Sequence, residues 1–142
     1  MTDCCSISCE APVSPQRRDC PQCGAVCKAV GHVTVLHQVR RPWEQSLQVE
    51  PYYFCSSADC DLVYFNAEGA RFVREQVRQP VGQKQTGKAR LLCYCFGVSL
   101  GDWLQDRGVR EFVIAQTQAG ACACETRNPS GRCCLGDFPK LA

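Results

Sequence analysis

Fourteen of the 142 residues of this chain are cysteines, and they occur in close groups rather than evenly along the sequence. This density is typical of two classes of protein: domains cross-linked by disulfides and proteins that bind metals. The N-terminus lacks the basic and then apolar layout of a signal peptide, so we expect a cytoplasmic protein. Thiols stay reduced in that compartment, which favours metal binding over disulfide formation.

Charge and hydropathy exclude several other classes of function. Lys and Arg number 16 against 14 Asp and Glu, so the net charge is too small and too dispersed to predict a nucleic-acid partner. No apolar run reaches the roughly 18 to 20 residues that cross a bilayer, so we expect no membrane insertion. There is no nucleophile-base arrangement, phosphate-binding loop or carboxylate pair, so any activity is expected to be at most a redox or metal-reducing one.

The first candidate metal site begins with a C-P-x-C motif, in which Cys20 and Cys23 present two sulfurs to one ion. Structural zinc sites are tetrahedral and commonly take their four ligands as two pairs that are separated in sequence. Cys55 and Cys60 form the natural second pair. The spacing therefore predicts zinc on Cys20, Cys23, Cys55 and Cys60, and we interpret Cys27 as a small buried apolar side chain rather than a substitute ligand.

The residues around this site indicate a β-rich region. Two-fold alternation from Val30 to Val39 predicts a strand, on which His32 and His37 face opposite ways and so do not share one ion. Aromatic and β-branched residues at 52–54 and 62–65 predict two more strands. The second cysteine pair is therefore expected in the turn that connects them.

A polar stretch at residues 82–88 has no apolar side chain that could anchor a core, and we interpret it as an exposed linker with boundaries 84–90. The linker divides the chain into a β-rich zinc-binding domain at 19–83 and a second domain at 91–142. Residues 1–18 have no periodicity and are expected to form a flexible tail that contains cysteines.

Beyond the linker the pattern changes to that of short helices. Ser99 and Asp102 resemble a capping box that begins a first helix, and Gly108 is expected to end it. A second helix is expected to end near Gly120, with one face formed by Val109, Phe112, Val113 and Gln116. The predicted fold class is α+β: a β-rich region followed by a helix-turn-helix region.

The cysteines of this second domain are spaced differently from those of the first. Cys93 and Cys95 are closer in sequence than the usual structural zinc pair, in which two or more residues intervene. Iron-sulfur clusters take four thiolates, and backbone N–H groups at helix ends donate hydrogen bonds to their sulfurs. The spacing favours such a cluster, and a second zinc site is the alternative. The cysteines available are Cys93, Cys95, Cys122, Cys124, Cys133 and Cys134.

The motifs follow one another in the order C-P-x-C, C-x4-C between aromatic strands, C-Y-C, and C-x8-C-C around Asn128-Pro129-Ser130-Gly131. In this order, over residues 19–142, they resemble the N-terminal domain of CopZ-type copper chaperones. The C-terminal half is similar to the bacterioferritin-associated ferredoxin (BFD-like) type. The resemblance implies a mononuclear zinc site on the four cysteines named above and a [2Fe-2S] cluster. The implied cluster ligands are Cys93, Cys95, Cys124 and Cys134, with Cys133 as the alternate.

The resemblance also implies a role in copper handling, in which the cluster reduces Cu(II) to the Cu(I) that thiols retain. The N-terminal Cys4, Cys5 and Cys9 are candidate Cu(I) ligands because Cu(I) is a soft ion. The expected partners are copper ions, a copper-transport or chaperone protein, or a redox partner protein. Two alternatives stay open: a ferredoxin-like electron-transfer partner without copper binding, and a structural or regulatory zinc module.

Overall fold

The computed structural model describes residues 16–45, 47 and 51–139 and has the expected α+β architecture. The first part of the chain contains β1 (Arg17–Asp19), β2 (Val26–Val30), α1 (His32–Gln38), β3 (Tyr52–Phe54), β4 (Leu62–Phe65) and β5 (Arg71–Val73). The second part contains β6 (Leu91–Cys93), β7 (Val98–Ser99), α2 (Leu100–Gln105), α3 (Gly108–Gln118) and α4 (Cys124–Arg127). Single 3-10 turns lie at Pro42–Glu44, Arg74–Gln76, Gly82–Lys84 and Cys134–Asp137. Within these described ranges, every helix is too short or too polar to span a bilayer.

The first five strands form one antiparallel sheet in the order β1-β2-β3-β4-β5. Because side chains alternate across a strand, β3 contributes to both faces: Tyr52 and Phe54 pack with Val30 and α1, whereas Tyr53 packs with the first group of cysteines. The predicted strands at 52–54 and 62–65 are confirmed. The loop between them carries the second cysteine pair, as expected.

The predicted strand from Val30 to Val39 is wrong beyond its first residue, because β2 ends at Val30 and α1 follows. The buried residues of α1 are spaced as on one helix face: they are Val35 and the polar Thr34 and Gln38, and Val39 just after the helix is also buried. The local preference of valine and threonine for strands is overridden by the hydrogen bonds that these polar side chains make with the second half of the chain.

The second part of the chain confirms the capping box: the Asp102 backbone N–H donates to Ser99 Oγ at 3.1 Å, and the Ser99 N–H donates to Asp102 Oδ2 at 3.0 Å. The prediction that Gly108 ends the first helix is wrong. That helix, α2, ends at Gln105, and Gly108 is the first residue of α3. The second helix ends at Gln118, close to Gly120, as predicted. Here Gly120 has a φ of 75°, which glycine adopts readily.

Helix α1 packs against α4 and joins the two parts of the chain. Thr34 Oγ1 donates to the Glu125 carbonyl oxygen at 2.7 Å, and Gln38 Nε2 donates to the Thr126 carbonyl oxygen at 2.7 Å. From the sheet, the buried Tyr64 hydroxyl donates to the carbonyl oxygen of Pro129. The predicted boundaries of the two domains stay predictions, but the two parts share a polar interface.

The predicted solvent exposure of the linker is wrong at Lys84. Gly82–Lys84 form a 3-10 turn, and the side chain of Lys84 is only 4% exposed. The sequence did not reveal this because a polar stretch without apolar residues has the composition of a linker whether or not its polar atoms find partners. Lys88, farther along the segment, is exposed as expected.

Replacing Tyr64 by phenylalanine is expected to lower the free energy of unfolding by about 1–3 kcal/mol, because the buried Pro129 carbonyl loses its donor. Urea unfolding of the metal-loaded protein, followed by circular dichroism, measures this change. A loss below about 0.5 kcal/mol would show that the contact between the sheet and the Pro129 turn does not stabilise the fold.

Candidate metal centres

The first group of cysteines is positioned by a tight turn and by the loop between two strands. Cys20 follows β1, and its backbone N–H donates to the Ala25 carbonyl oxygen at 2.8 Å while its carbonyl accepts from the Gly24 N–H at 2.9 Å. The chain can turn back so sharply because Gly24 has a φ of 81°. Cys55 is the first residue of the β3–β4 loop, and Cys60 lies near its end. The pairing of β3 with β4 therefore holds both cysteines in place.

The four sulfurs of this group converge on one point. Cys20 Sγ lies 3.8 Å from Cys60 Sγ, and Cys23 Sγ lies 3.7 Å from Cys55 Sγ. All four lie within 4.8 Å of one another. Zn–S distances of about 2.3 Å in a tetrahedron require sulfur–sulfur separations of about 3.8 Å. The donor set and its dimensions therefore fit a closed tetrahedral zinc site.

The environment of the four thiols is unequal. Three are buried and Cys23 is exposed. The N–H of Ala25 lowers the pKa of Cys23 to about 7, with further help from the Cys55 thiol. Burial raises the pKa of Cys55 to about 11 and that of Cys60 to about 12. Thiolates are the form that binds metal, and among these four thiols Cys23 combines exposure with a lowered pKa.

Cys27 lies beside this group without belonging to it. Its side chain is 2% exposed, and its thiol donates to the Ala25 carbonyl oxygen at 3.3 Å. Burial raises its pKa to about 11, which favours the neutral thiol. The two histidines of α1, His32 and His37, are likewise not part of the converging set.

The second group of cysteines lies where β6, α4 and the last 3-10 turn meet. Cys93 ends β6, Cys124 begins α4, and Cys134 begins the 3-10 turn. Cys95 Sγ lies 3.9 Å from Cys124 Sγ, and Cys134 packs with Cys93 and Cys124 in one cluster of buried residues. The structure thus brings together Cys93, Cys95, Cys124 and Cys134.

The other two cysteines of this half are placed differently. Cys134 is fully buried, whereas the adjacent Cys133 is exposed. Cys122 is half-buried and packs at the margin of the cluster of buried residues around the second group. The candidate copper ligands Cys4, Cys5 and Cys9 lie outside the described residues.

The thiols of the second group differ in pKa. A hydrogen bond from the Cys134 thiol lowers the pKa of Cys124 to about 6 and that of Cys93 to about 7. Donation to these two sulfurs raises the pKa of Cys134, and burial raises the pKa of Cys95 to about 11. The backbone N–H of Ala123 donates to Cys95 Sγ at 3.0 Å, and a backbone donor of this kind also stabilises a thiolate that ligates an iron-sulfur cluster.

The two groups differ in how far their sulfurs converge. Within residues 16–45, 47 and 51–139, the first group is the set of three or more metal-ligating side chains whose donor atoms all lie within 4.8 Å of one another. The second group is more open: Cys95 Sγ lies 3.9 Å from Cys124 Sγ, and Cys93, Cys124 and Cys134 pack in one cluster of buried residues. Four thiols that gather without converging on one point leave room for a centre larger than a single ion.

Comparison with known proteins relates both halves of the chain to one relative. The family model of the CopZ zinc-binding domain matches residues 17–78. Copper chaperone CopZ of Archaeoglobus fulgidus is 32% identical over 125 residues, which are 86% of this chain and 60% of that protein. The chain therefore spans about three fifths of the length of this curated relative.

A solved structure extends the likeness to the fold. The X-ray structure of the Archaeoglobus fulgidus CopZ N-terminal domain matches with a TM-score of 0.67 and 29% sequence identity, covering 87% of this chain and 100% of the solved chain. The sequence match, the shared fold and the converging thiols agree on one assignment. Residues 17–78 therefore carry a CopZ-type zinc-binding domain, and the described fold is similar to that of the CopZ N-terminal domain.

Proposed function

We propose that this chain is a metal-binding protein of copper handling in which a structural zinc ion shapes the first half and a [2Fe-2S] cluster occupies the second. The observation that carries the proposal is the gathering of Cys93, Cys95, Cys124 and Cys134 in one cluster, with Cys95 Sγ 3.9 Å from Cys124 Sγ and the Ala123 N–H donating to Cys95 Sγ. The name of the curated relative, a copper chaperone, supports the copper part of the proposal.

The first thiol set serves a structural purpose in this proposal. Four thiolates complete a tetrahedral zinc site, so no position is open for a substrate, and zinc has no accessible redox change. Cys20, Cys23, Cys55 and Cys60 join the first turn to the β3–β4 loop, and both elements border the same face of the sheet. Zinc there would contribute folding energy to the first half.

The second thiol set serves electron transfer. A bound [2Fe-2S] cluster supplies a one-electron couple. Cys93 and Cys134 are fully buried, which excludes water, and Cys95 is half-buried. An electron acceptor would therefore approach from the side of Cys95, where the distance through protein is shortest.

Copper is the substrate. A cluster held by Cys93, Cys95, Cys124 and Cys134 would supply one electron after reduction by a redox partner protein, and a Cu(II) ion that accepted it would become Cu(I), the soft form that thiolates retain. Cys4, Cys5 and Cys9 are the proposed thiols for that ion. Partners would be copper ions and a copper-transport or chaperone protein that receives them.

Anaerobic addition of Cu(II) to dithionite-reduced, desalted protein tests the proposal. We expect the visible absorption of the oxidised cluster to return. A Cu(I)-specific chelator should detect the Cu(I) that forms at the same time. The same addition of Zn²⁺ is the control and should leave the spectrum unchanged. A reduced cluster that does not reoxidise contradicts the copper-reducing role.

A Cu(I) titration against a competing chelator separates this role from that of a ferredoxin-like electron carrier. We expect tight binding by the wild type and its loss when Cys4, Cys5 and Cys9 are replaced by serine. Absence of tight binding in both proteins would favour the electron carrier, which needs no copper.

A further inference from the structure

The 3-10 turn Gly82–Lys84 makes hydrogen bonds toward both groups of cysteines. On one side, Lys84 Nζ donates to the carbonyl oxygens of Ser57 and Cys60, each at 2.8 Å. Both acceptors lie in the β3–β4 loop that carries two sulfurs of the zinc set. The two hydrogen bonds from Lys84 therefore fix the backbone of that loop.

Lys84 is also a buried charge. Its side chain is 4% exposed. The described part of the chain has two ion pairs, Arg41 with Glu44 and Arg74 with Asp61, and Lys84 takes part in neither. A buried ammonium is costly unless a negative group compensates it. Zinc with four thiolates carries a net charge of about −2, so the filled site supplies that compensation. Burial raises the pKa of Cys55, and the charge of Lys84 acts in the opposite direction.

The neighbouring Gln83 is directed to the other half. Its Nε2 donates to Asn128 Oδ1 at 2.9 Å and to Asp137 Oδ2 at 3.1 Å, and Asn128 Nδ2 donates to the same carboxylate at 3.0 Å. Asn128 is fully buried at the end of α4, which Cys124 begins, and Asp137 ends the 3-10 turn that Cys134 begins. Gln83 thus holds together two segments that carry sulfurs of the second set.

Gly82 completes the connection. Its backbone N–H donates to the hydroxyl of Tyr94, which in turn donates to Gln83 Oε1 at 3.2 Å. Tyr94 lies between two cysteines of the second set. A Cβ at position 82 would lie 2.3 Å from the Leu91 carbonyl oxygen and 2.5 Å from the Tyr94 hydroxyl oxygen, so the close approach requires glycine.

We propose that the Gly82–Lys84 turn couples the two metal centres, with Lys84 as a positioning residue for the zinc loop and Gln83 as a positioning residue for the second loop. The inference rests on the proposed function in taking the second set to be a metal site. Metal bound in one set orders the turn, and the ordered turn holds the ligands of the other set. Coupling of this kind is reciprocal and is typically about 5- to 150-fold in affinity.

Zinc release to a colorimetric chelator, measured with the cluster present and after its removal, tests the coupling. The proteins to compare are the wild type, Lys84→Met, Gln83→Leu and the control Lys88→Met, which removes an exposed charge from the same segment. In the wild type and the control, cluster removal should speed zinc release about 5-fold or more. In Lys84→Met and Gln83→Leu the two release rates should be nearly equal.

Gln83→Leu is the decisive variant. Among the described residues, the hydrogen bonds of the Gln83 side chain go to Asn128, Asp137 and Tyr94, all in the second half. A changed zinc response in that variant therefore reports transmission through the turn and not damage to the zinc ligands. It also decides the question if Lys84→Met fails to fold.

Equal release rates in the wild type with and without the cluster would overturn the coupling, as would an unchanged ratio in Gln83→Leu. Iron and sulfide analysis of the same samples separates this failure from failure of the proposed function. If the protein binds no iron, the proposed function is wrong, and the release ratio is then measured with Co²⁺, which binds thiolates less tightly than zinc, on the second thiol set against the empty set. An absent ratio there overturns the coupling as well.

Discussion

Replacing Cys55 by serine is expected to abolish zinc retention and to unfold the first half of the protein. Structural zinc contributes about 10–16 kcal/mol of apparent binding free energy in small zinc domains, as much as the whole stability of a typical domain, about 5–15 kcal/mol. Cys55 is fully buried and its sulfur lies 3.7 Å from that of Cys23. Zinc analysis after dialysis and circular dichroism measure the two effects.

Cys27→Ser is the matched control for this experiment. Cys27 packs in the same cluster as Cys20, Cys55 and Cys60 and is as buried as these three, but its sulfur is outside the converging set. We expect the variant to keep its zinc and to lose about 1–3 kcal/mol of stability at most. Loss of zinc from Cys27→Ser together with retention by Cys55→Ser would show that the ligand set is misassigned.

The second large effect is expected for Cys134→Ser, which should lose its iron and its visible colour while it keeps its zinc. Cys134 packs with Cys93 and Cys124 in one cluster of buried residues and is itself fully buried. Loss of even an outer partner of a metal ligand lowers affinity about 10- to 100-fold, so loss of a ligand should leave about a tenth of the iron or less. Iron and sulfide analysis of anaerobically purified protein measures it.

Cys133→Ser is the matched control, since it changes an adjacent thiol of the same sequence pair. Cys133 is exposed, whereas Cys134 is buried. We expect this variant to keep its iron and its spectrum. Iron lost from Cys133→Ser and kept in Cys134→Ser would reverse the assignment.

Much of the site could be predicted from the sequence because metal ligands are encoded locally. The C-P-x-C turn needs only two cysteines, a glycine with positive φ and short backbone hydrogen bonds, all within residues 20–25. The loop between β3 and β4 could be predicted because each of the two flanking strands has a local aromatic and β-branched pattern. The capping box of Ser99 and Asp102 is equally local.

The features that sequence reasoning missed depend on partners far away in the chain. Helix α1 has strand-forming residues, and its buried polar face is satisfied by carbonyl groups of residues 125–127. In the sequence, Lys84 is indistinguishable from a solvated linker lysine, because its partners are backbone carbonyl groups in the distant loop at 57–60. A polar residue gives no signal in a hydropathy pattern when its burial depends on a distant backbone acceptor.

Both features that were not predicted, helix α1 and the burial of Lys84, lie where the two halves of the chain meet. The α1–α4 contact and the Gly82–Lys84 turn are where the zinc half meets the second half. The local motifs define each thiol set separately, whereas the interface between them is a tertiary property. The relative orientation of the two sites therefore emerges only with the fold.

The metal and sulfide content of protein purified without oxygen tests the central claim most directly. The account predicts about one zinc, about two irons and about two acid-labile sulfides per chain, with the visible absorption of a [2Fe-2S] cluster. Protein that is folded and colourless, and that contains zinc without iron or sulfide, would contradict it.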